Sequence, residues 1–240
     1  MPLKQRPMRL TPRHVAYLQP EDVTEGLPEP PEGMRAATED DHRATIERFF
    51  GGGQAHDETW IFAYGSLIWK PACDFVEMRR GLLHGWHRAF CLGWNNRFRG
   101  SDENPGLMLA LDRGGACTGA LYRLPDARRD ECLVKLFERE MGWLPSAFPP
   151  RMVTVRSGER VVRALTFCID RKSGRYVSGL SEEEIADVLA TATGTRGSMA
   201  EYLHATVEHL EQMGIHDPHL WRLQHMVAHR IEATFEARGA

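Results

Sequence analysis

The chain has 240 residues, of which 42% are hydrophobic and 26% charged, with a formal net charge of −3 at pH 7. This length is sufficient for one large domain or two small ones, and the composition is typical of soluble globular proteins. The lack of a basic excess argues against nucleic acid as the main partner. No apolar run approaches the roughly 18 residues that a membrane span requires, so we expect no membrane partner.

The N-terminal part of the chain differs from the rest. Seven of the 14 prolines lie in residues 1–31, and apolar residues are sparse there. We therefore predict an N-terminal arm over residues 1–56 that is dispensable for chemistry. It contains one possible short helix, Thr38–Phe50, whose first residue is the N-cap. The three glycines Gly51–Gly53 are expected to end this helix and act as a linker.

The cysteines and the first residues of the chain bear on its location. The five cysteines are odd in number and widely spaced, and none forms a CxxC pair. This pattern indicates free thiols in a reducing compartment. The first seven residues are basic, but no apolar segment follows them, which argues against a secretory signal. We therefore expect a cytoplasmic protein.

The stretch Trp60–Pro71 contains the first chemically suggestive pattern. Its apolar, aromatic first half, Trp60–Tyr64, predicts a buried strand. The strand ends at Gly65 and Ser66, where a tight turn can expose backbone N–H groups to an anion such as a carboxylate. An ordinary turn after a strand is the simpler interpretation, and the residue types alone do not exclude it.

Further strands are predicted between residues 86 and 170. A strand is expected at Trp86–Leu92, and glycines between apolar runs indicate two hairpins. The first hairpin would turn at residues 113–115 and the second at residues 157–158. The predicted hairpin strands are Gly106–Asp112, Ala116–Leu124, Arg151–Arg156 and Arg160–Asp170. Five or more strands with short connections predict a small mixed or antiparallel β-barrel.

Helices are predicted at Asp126–Gly142 and throughout the C-terminal third. Capping boxes at Ser181 and Ser198 start two helices that end near Gly194 and Gly214. The pair at residues 217–218, Asp-Pro, starts a last helix that runs to about residue 236. The order of the elements predicts an α+β fold in which helices surround the small barrel.

One carboxylate lies on the apolar face of the predicted helix Asp126–Gly142. The helical period places Glu140 on the stripe formed by Leu133, Leu136 and Phe137, whereas Glu138 points away from it. Burial and the helix C-terminus should both raise the pKa of Glu140, as expected for a general acid and base. The alternative is a carboxylate neutralised by the backbone or by an arginine such as Arg88, Arg97 or Arg123.

The segment Tyr64–Pro71 resembles the opening signature of the ChaC family, the glutathione-specific γ-glutamylcyclotransferases. The resemblance covers about residues 60–230, so residues 57–240 are interpreted as a γ-glutamylcyclotransferase-like catalytic domain. It continues through an ordered series of short motifs: Arg99-Gly100, Asn104-Pro105-Gly106, Leu121–Pro125, Phe137–Glu140 and Glu201-Tyr202-Leu203.

This resemblance implies that the protein cleaves glutathione to 5-oxoproline and cysteinylglycine. The substrate's α-amine would attack its own γ-carbonyl, and Glu140 matches the catalytic glutamate of the family. Arg99 would bind the glycine carboxylate or shape its loop, and Tyr202 would contribute a hydroxyl to the pocket. No metal or organic cofactor is required. The remaining substrate-binding residues implied are Ala63, Tyr64, Gly65, Ser66, Leu67 and Ile68.

One departure from the family pattern concerns the substrate. The loop reads Phe98-Arg99-Gly100, where His-Arg-Gly is expected in members close to the best-known type. A cyclotransferase acting on another γ-glutamyl amide therefore remains an alternative, as does a protein that binds γ-glutamyl compounds without turnover. The histidines His225 and His229 lie one helical turn apart, but the sequence lacks the glutamate and cysteines of common zinc motifs.

Overall fold

A computed structural model of the chain describes residues 7–18, 32–51 and 58–239. Contacts within the chain divide it into two compact units. The barrel unit comprises the described residues of 27–88 and 110–174, and the helical unit comprises those of 1–26, 89–109 and 175–240.

The secondary-structure elements follow one another along the chain in a mixed order of helices and strands. They are α1 (Pro12–Ala16), β1 (Arg35–Ala36), α2 (Glu39–Phe50), β2 (Trp60–Ala63), α3 (Ser66–Trp69), β3 (Glu77–Asn95), β4 (Gly106–Arg123), α4 (Arg129–Glu140, preceded by a 3₁₀ turn at Asp126–Arg128), β5 (Trp143–Leu144), β6 (Pro150–Ser157), β7 (Arg160–Phe167), α5 (Glu182–Thr191), β8 (Thr193–Gly194), β9 (Gly197–Ser198), α6 (Met199–Gln212) and α7 (Pro218–Gly239).

Five strands close into a barrel in the order β2-β4-β3-β6-β7. Strand β2 is antiparallel to β4, with Ala63 opposite Ala120, and it is parallel to β7, with Ile61 opposite Leu165. The sheet is therefore mixed, and its closure leaves β2 paired on both sides. The predicted α+β fold with a small barrel is confirmed.

The core of the barrel unit is formed by apolar side chains from all five strands. Strand β2 is buried along its whole length, which explains its uninterrupted apolar sequence. Helix α4 packs against the end of β7, where the Phe137 ring lies edge-on to the Phe167 ring with centroids 5.9 Å apart. The buried side chains of the cluster belong to Trp60, Phe62, Tyr64, Leu83, Leu111, Cys117, Leu121, Val153, Val155, Val162, Ala164 and Cys168.

The first predicted hairpin is wrong, because β4 is one continuous strand from Gly106 to Arg123. Its two central glycines, Gly114 and Gly115, have φ values of 103° and 64°, in the left-handed region that favours glycine. They distort the strand locally without reversing it, and the Gly114 carbonyl accepts a 3.1 Å hydrogen bond from His87 Nδ1. Paired glycines in a strand can therefore mark an irregularity as well as a hairpin turn.

Strand β3 begins at Glu77, well before the predicted start at Trp86. Its first residues alternate in burial, with Glu77 and Arg79 half-buried and paired with each other, and with Met78 and Arg80 exposed on the other face. A Cβ atom at Gly81 would lie 2.5 Å from Val155 Cγ1 and 2.9 Å from Leu121 Cδ1, so the packed barrel interior leaves no space for a side chain there.

The remaining predicted elements are largely confirmed. The second hairpin pairs Ser157 with Arg160, and the helices that start after Ser181 and Ser198 and at Pro218 are present. The capping box at Ser181 is confirmed, whereas at Ser198 only the N-cap bond forms, because the Glu201 carboxylate pairs with Arg99. Helix α2 begins after Thr38, whose hydroxyl accepts a hydrogen bond from the Asp41 N–H. The predicted linker function of the three glycines falls on Gly52 and Gly53, which lie outside the described residues.

Residues 7–18 form an ordered part of the helical unit, with α1 packed against α6 and α7. Leu10 is fully buried, and its N–H donates a 2.8 Å hydrogen bond to Gln224 Oε1. Tyr17 stacks on Phe235 with ring centroids 3.9 Å apart. Within the described part of the chain, no helix combines the length and the apolar character needed to cross a membrane.

Candidate active site

The turn after β2 presents free backbone donors at the end of a rigid strand. The chain turns at Gly65 and enters the single-turn helix α3. The Ile68 N–H donates a 2.9 Å hydrogen bond to the Gly65 carbonyl and is therefore occupied. Among the described residues, no protein acceptor meets the N–H groups of Ser66 and Leu67, as expected for the first turn of a helix. Two donors are therefore available to an anion.

Two side chains fix the backbone of this turn from inside the barrel unit. Arg88 is buried and donates from Nε to the Tyr64 carbonyl over 2.5 Å and from Nη2 to the Thr118 carbonyl over 2.8 Å. The Tyr122 hydroxyl donates a 3.1 Å hydrogen bond to the Ile68 carbonyl. Burial raises the pKa of Tyr122 to about 12, so the phenol stays protonated as a donor at neutral pH. Both ends of the turn are thereby anchored.

Glu140 is the last residue of α4, and only 15% of its side-chain surface is exposed. Desolvation raises the pKa of the Glu140 carboxyl, and the adjacent positive charge of Arg139 opposes the shift without cancelling it. Glu138, on the other side of the helix, is exposed. Of these two glutamates, Glu140 is the one whose surroundings favour a proton-transfer group.

Arg139 connects Glu140 to the turn. Its Nε lies 3.0 Å from Glu140 Oε1, and its Nη2 donates a 3.0 Å hydrogen bond to Ser66 Oγ. Its third nitrogen, Nη1, donates to the Lys70 carbonyl. A single guanidinium therefore contacts the carboxylate, the hydroxyl of the turn and the end of α3 at once, and it holds Glu140 and Ser66 in one local arrangement.

The arginines considered as alternative partners of Glu140 make other contacts. Arg88 binds the two carbonyl groups described above, and Arg123 pairs with Glu77 and Asp126. Among the described ion pairs, none joins Arg97 to Glu140. The described ion-pair partner of Glu140 is instead its sequence neighbour, and burial outweighs that neighbour's effect on the pKa.

Arg99 and Tyr202 lie together in the helical unit. Arg99 is buried and donates from Nη1 to the Ser198 carbonyl over 3.0 Å and to the Glu201 carboxylate. Its guanidinium lies over the Tyr202 ring, 5.8 Å from the centroid. These contacts fit the second use considered for Arg99, in which it shapes its loop. Tyr202 itself is 3% exposed, so little of its surface is open to solvent.

The predicted site residues thus belong to the two units in separate groups. The turn from Ala63 to Ile68 and Glu140 share the barrel unit, whereas Arg99 and Tyr202 share the helical unit. The sequence pattern did not identify three residues that hold the first group together: Arg139, Arg88 and Tyr122. The first of these stands beside the predicted acid and could have been noted for that position. The other two are recognisable only once the barrel brings β3 and β4 to β2.

Metal binding has no support within the described residues, where no group of three or more His, Cys, Asp or Glu side chains is arranged to hold an ion. The sequence pair His225 and His229 therefore lacks further ligands in the part of the chain that is described. All five cysteines are free thiols, and burial raises the pKa of Cys73 and Cys168 to about 12. Neither of these two thiols is a ready nucleophile at neutral pH.

Comparison with known proteins places this geometry in context. The model of a family described as "ChaC-like protein" matches residues 59–230. A protein of Escherichia coli K12, named glutathione-specific γ-glutamylcyclotransferase, is 40% identical over 159 residues, which cover 66% of this chain and 68% of that protein. A zebrafish (Danio rerio) protein, glutathione-specific γ-glutamylcyclotransferase 1, is 33% identical over 174 residues, 69% of this chain and 86% of that protein.

The fold has a counterpart among solved structures. A yeast γ-glutamylcyclotransferase specific to glutathione superposes with a TM-score of 0.64 at 22% identity. The match covers 72% of this chain and 96% of the yeast chain. At this level of identity the likeness concerns the fold.

Proposed function

Because this chain belongs to the ChaC-like protein family, we propose that it is a γ-glutamylcyclotransferase that cleaves glutathione to 5-oxoproline and cysteinylglycine. The observation that carries the proposal is the desolvated Glu140 carboxylate, tied through Arg139 to the turn after β2. Binding and proton transfer are thereby available at adjacent groups.

The turn supplies the binding half of the mechanism. The N–H groups of Ser66 and Leu67, together with the Ser66 hydroxyl, would bind the α-carboxylate of the γ-glutamyl group. Arg88 and Tyr122 keep these donors in place by holding the carbonyls of Tyr64 and Ile68. Fixing the carboxylate next to the base constrains the substrate in a curled conformation, which favours attack by a nucleophile within the same molecule.

Glu140 supplies the proton transfers. The α-ammonium group of the substrate must lose a proton before its nitrogen can attack the γ-carbonyl carbon, and the Glu140 carboxylate accepts that proton. The new C–N bond closes a five-membered ring, the ring nitrogen releases its second proton to solvent, and the bond to the cysteine nitrogen then breaks. Protonated Glu140 returns its proton to this leaving nitrogen. The two steps need opposite protonation states, so a raised pKa suits both.

Arg99 has two alternative functions in the proposal, whereas Tyr202 has one. The contacts of Arg99 with Ser198 and Glu201 support a function in shaping the loop that follows β3. Binding of the glycine carboxylate of glutathione remains the other use we consider for Arg99. Tyr202 is proposed as a pocket hydroxyl of the same unit.

The location of the protein is proposed on chemical grounds. None of the five cysteines forms a disulfide bond. Free thiols are typical of reducing compartments, where glutathione is also abundant in its thiol form. We therefore place the protein in the cytoplasm.

The experiment that tests the proposal measures 5-oxoproline released by the purified protein without added metal. Glutathione, γ-glutamylcysteine, γ-glutamylalanine and γ-glutamyl-ε-lysine serve as parallel substrates. Release from glutathione alone supports the full proposal. Release from a different γ-glutamyl amide supports the cyclisation and assigns the protein another substrate. No release from any of the four contradicts enzymatic turnover and favours a protein that only binds γ-glutamyl compounds.

A further inference from the structure

The segment that follows Glu140 is held by residues from the N-terminal arm, outside the 59–230 region that the family model matches. The His42 Nε2–H donates to the Met141 carbonyl over 3.1 Å, and the Ala37 N–H donates to the Gly142 carbonyl over 3.0 Å. Strand β1 then pairs antiparallel with β5, with Ala36 opposite Trp143. Consecutive residues directly after the proposed base are thus bound by one short segment of the arm.

These contacts lie at a helix end that has no glycine cap. The last carbonyl groups of a helix have no partner within it, and a glycine in the left-handed conformation often satisfies them. Gly142 follows Met141, the C-cap residue of α4, but its φ lies outside the left-handed region. The arm supplies donors to the carbonyl of the C-cap residue Met141 and to the carbonyl of Gly142, which follows it.

The His42 side chain is suited to a hydrogen bond with the Met141 carbonyl, but as a purely space-filling core residue it would be unfavourable. It is 5% exposed, and among the described residues its Nδ1 has no hydrogen-bond partner. A buried polar atom without a partner is unfavourable, so an aliphatic side chain would fill the space at a lower energetic cost. Unlike an aliphatic side chain, the imidazole provides a hydrogen-bond donor at Nε2 for the Met141 carbonyl.

The arm segment is itself rigidly built. Asp41 accepts hydrogen bonds from both terminal nitrogens of Arg35, over 2.6 and 2.7 Å, and from the Thr38 N–H over 2.8 Å. These bonds fix β1 against the first turn of α2, and α2 packs against α4. The Ala37 N–H and the His42 ring therefore reach the end of α4 from a single preorganised segment.

We propose that residues 35–42, through His42 and the backbone of Ala37, position Glu140 for catalysis. The inference rests on the proposed function, in which Glu140 is the base, and it reverses the sequence-based expectation that the whole arm is dispensable for chemistry. The Met141 N–H closes the last helical turn on the Phe137 carbonyl over 2.7 Å. The arm holds the carbonyls of Met141 and Gly142, so the backbone directly after Glu140 is held by both the helix and the arm, which fixes the direction of the Glu140 side chain.

The main test compares three variants of α2 with the wild type. His42→Leu keeps an apolar body and removes the donor. His42→Gln supplies an amide N–H at the position of Nε2. Arg43→Ala is the matched control, because Arg43 is exposed and pairs with Glu39 within the same helix. Each protein is assayed for kcat and KM with glutathione, and its melting temperature verifies that it is folded.

A misplacement of about 1 Å at a catalytic group can reduce a rate about a hundredfold. We expect kcat of His42→Leu to fall about tenfold to a hundredfold with KM changed by less than about threefold, because the turn that binds the carboxylate is untouched. His42→Gln should recover most of the kcat, and Arg43→Ala should behave as wild type. A folded His42→Leu protein with wild-type kcat overturns the proposal, as does a loss that His42→Gln fails to recover.

A second variant covers the case in which His42→Leu does not fold. Asp41→Asn weakens the bonds to Arg35 at a position nearer the surface, and it should lower kcat in the same direction by a smaller factor. Wild-type kcat in Asp41→Asn overturns the proposal in that case.

Glu140→Gln distinguishes failure of the proposed base from failure of the proposed positioning by the arm. Full turnover in Glu140→Gln contradicts the proposed base itself, whereas an inactive Glu140→Gln beside a fully active His42→Leu contradicts the positioning alone.

Discussion

Arg139 and Glu140 are neighbours in sequence and an ion pair in space, with 3.0 Å between Arg139 Nε and Glu140 Oε1. The same guanidinium binds Ser66 in the turn that follows the buried strand β2. The Arg139 side chain therefore connects Glu140, the proposed base, to Ser66, the first residue of the proposed carboxylate site. Glu140 and Ser66 lie far apart in sequence.

Replacing Arg139 by methionine should affect binding and proton transfer together. The variant loses the contacts to Ser66 and Lys70, and we expect kcat/KM for glutathione to fall about tenfold to a hundredfold. It also removes a positive charge that opposes the raised pKa of Glu140. The acidic limb of the profile of kcat/KM against pH should therefore move to higher pH, as steady-state assays across the pH range would measure.

The control for this substitution is Lys135→Met, because Lys135 is exposed on the same helix and pairs with Glu131. It should leave both the rate and the pH profile unchanged. An Arg139→Met enzyme with the wild-type profile would show that the guanidinium has no influence on the base.

The raised pKa of Glu140 also predicts a pH-dependent gain in stability when the carboxyl is removed. The folded state binds this proton more tightly than the unfolded state, so the contribution of Glu140 to stability is full below the ordinary pKa of glutamate and is lost as pH rises through the folded-state value. Glu140→Gln should therefore have a higher melting temperature than the wild type at pH 7 to 8. The difference should shrink towards pH 4. Equal melting temperatures at both ends of this range would contradict the desolvation of Glu140.

Tyr122→Phe tests the anchoring of the turn. The variant keeps the ring and leaves the Ile68 carbonyl without its 3.1 Å hydrogen bond. We expect the free energy of unfolding to fall by about 1–3 kcal/mol, measured by urea titration. KM for glutathione should rise, because the turn that holds the α-carboxylate is loosened. Wild-type stability would indicate that water or another donor replaces the phenol.

Substitution of Arg99 distinguishes a structural function of this residue from direct contact with the substrate. Its partners are the Ser198 carbonyl and the Glu201 carboxylate, and Glu201 is 48% exposed, so screening by solvent weakens the pair. If Arg99 shapes its loop, Arg99→Met should lower the free energy of unfolding by about 1–3 kcal/mol. The activity lost would then follow the fraction of protein unfolded. A variant of unchanged stability whose KM rises at least tenfold would identify Arg99 as a ligand of the substrate instead.

The sequence was informative where local chemistry determines structure. Three C-terminal helices start at the predicted N-cap or proline positions, because those residues satisfy the free N–H groups of a first turn. The low exposure of Glu140 followed from its spacing to the apolar stripe of α4. In both cases the deciding contacts lie within a few residues.

The sequence was misleading where closure of the barrel decides the conformation. The glycines Gly114 and Gly115 resembled a hairpin turn but lie within β4, and β3 begins at Glu77 and not at the predicted Trp86. The anchoring by Arg88 and the contact of His42 with Met141 join distant parts of the chain. No local pattern marks such pairs, so they became visible only in the folded structure.

The most direct test of the account is the rate of 5-oxoproline formation from glutathione by Glu140→Gln, beside Glu138→Gln as the exposed control on the same helix. The glutamine is nearly isosteric but cannot exchange a proton at neutral pH. We predict that kcat of Glu140→Gln falls by about 10²–10⁴-fold while the protein remains folded, and that Glu138→Gln retains the wild-type rate. Wild-type turnover by a folded Glu140→Gln protein would contradict the assignment of Glu140 as the group that moves the proton.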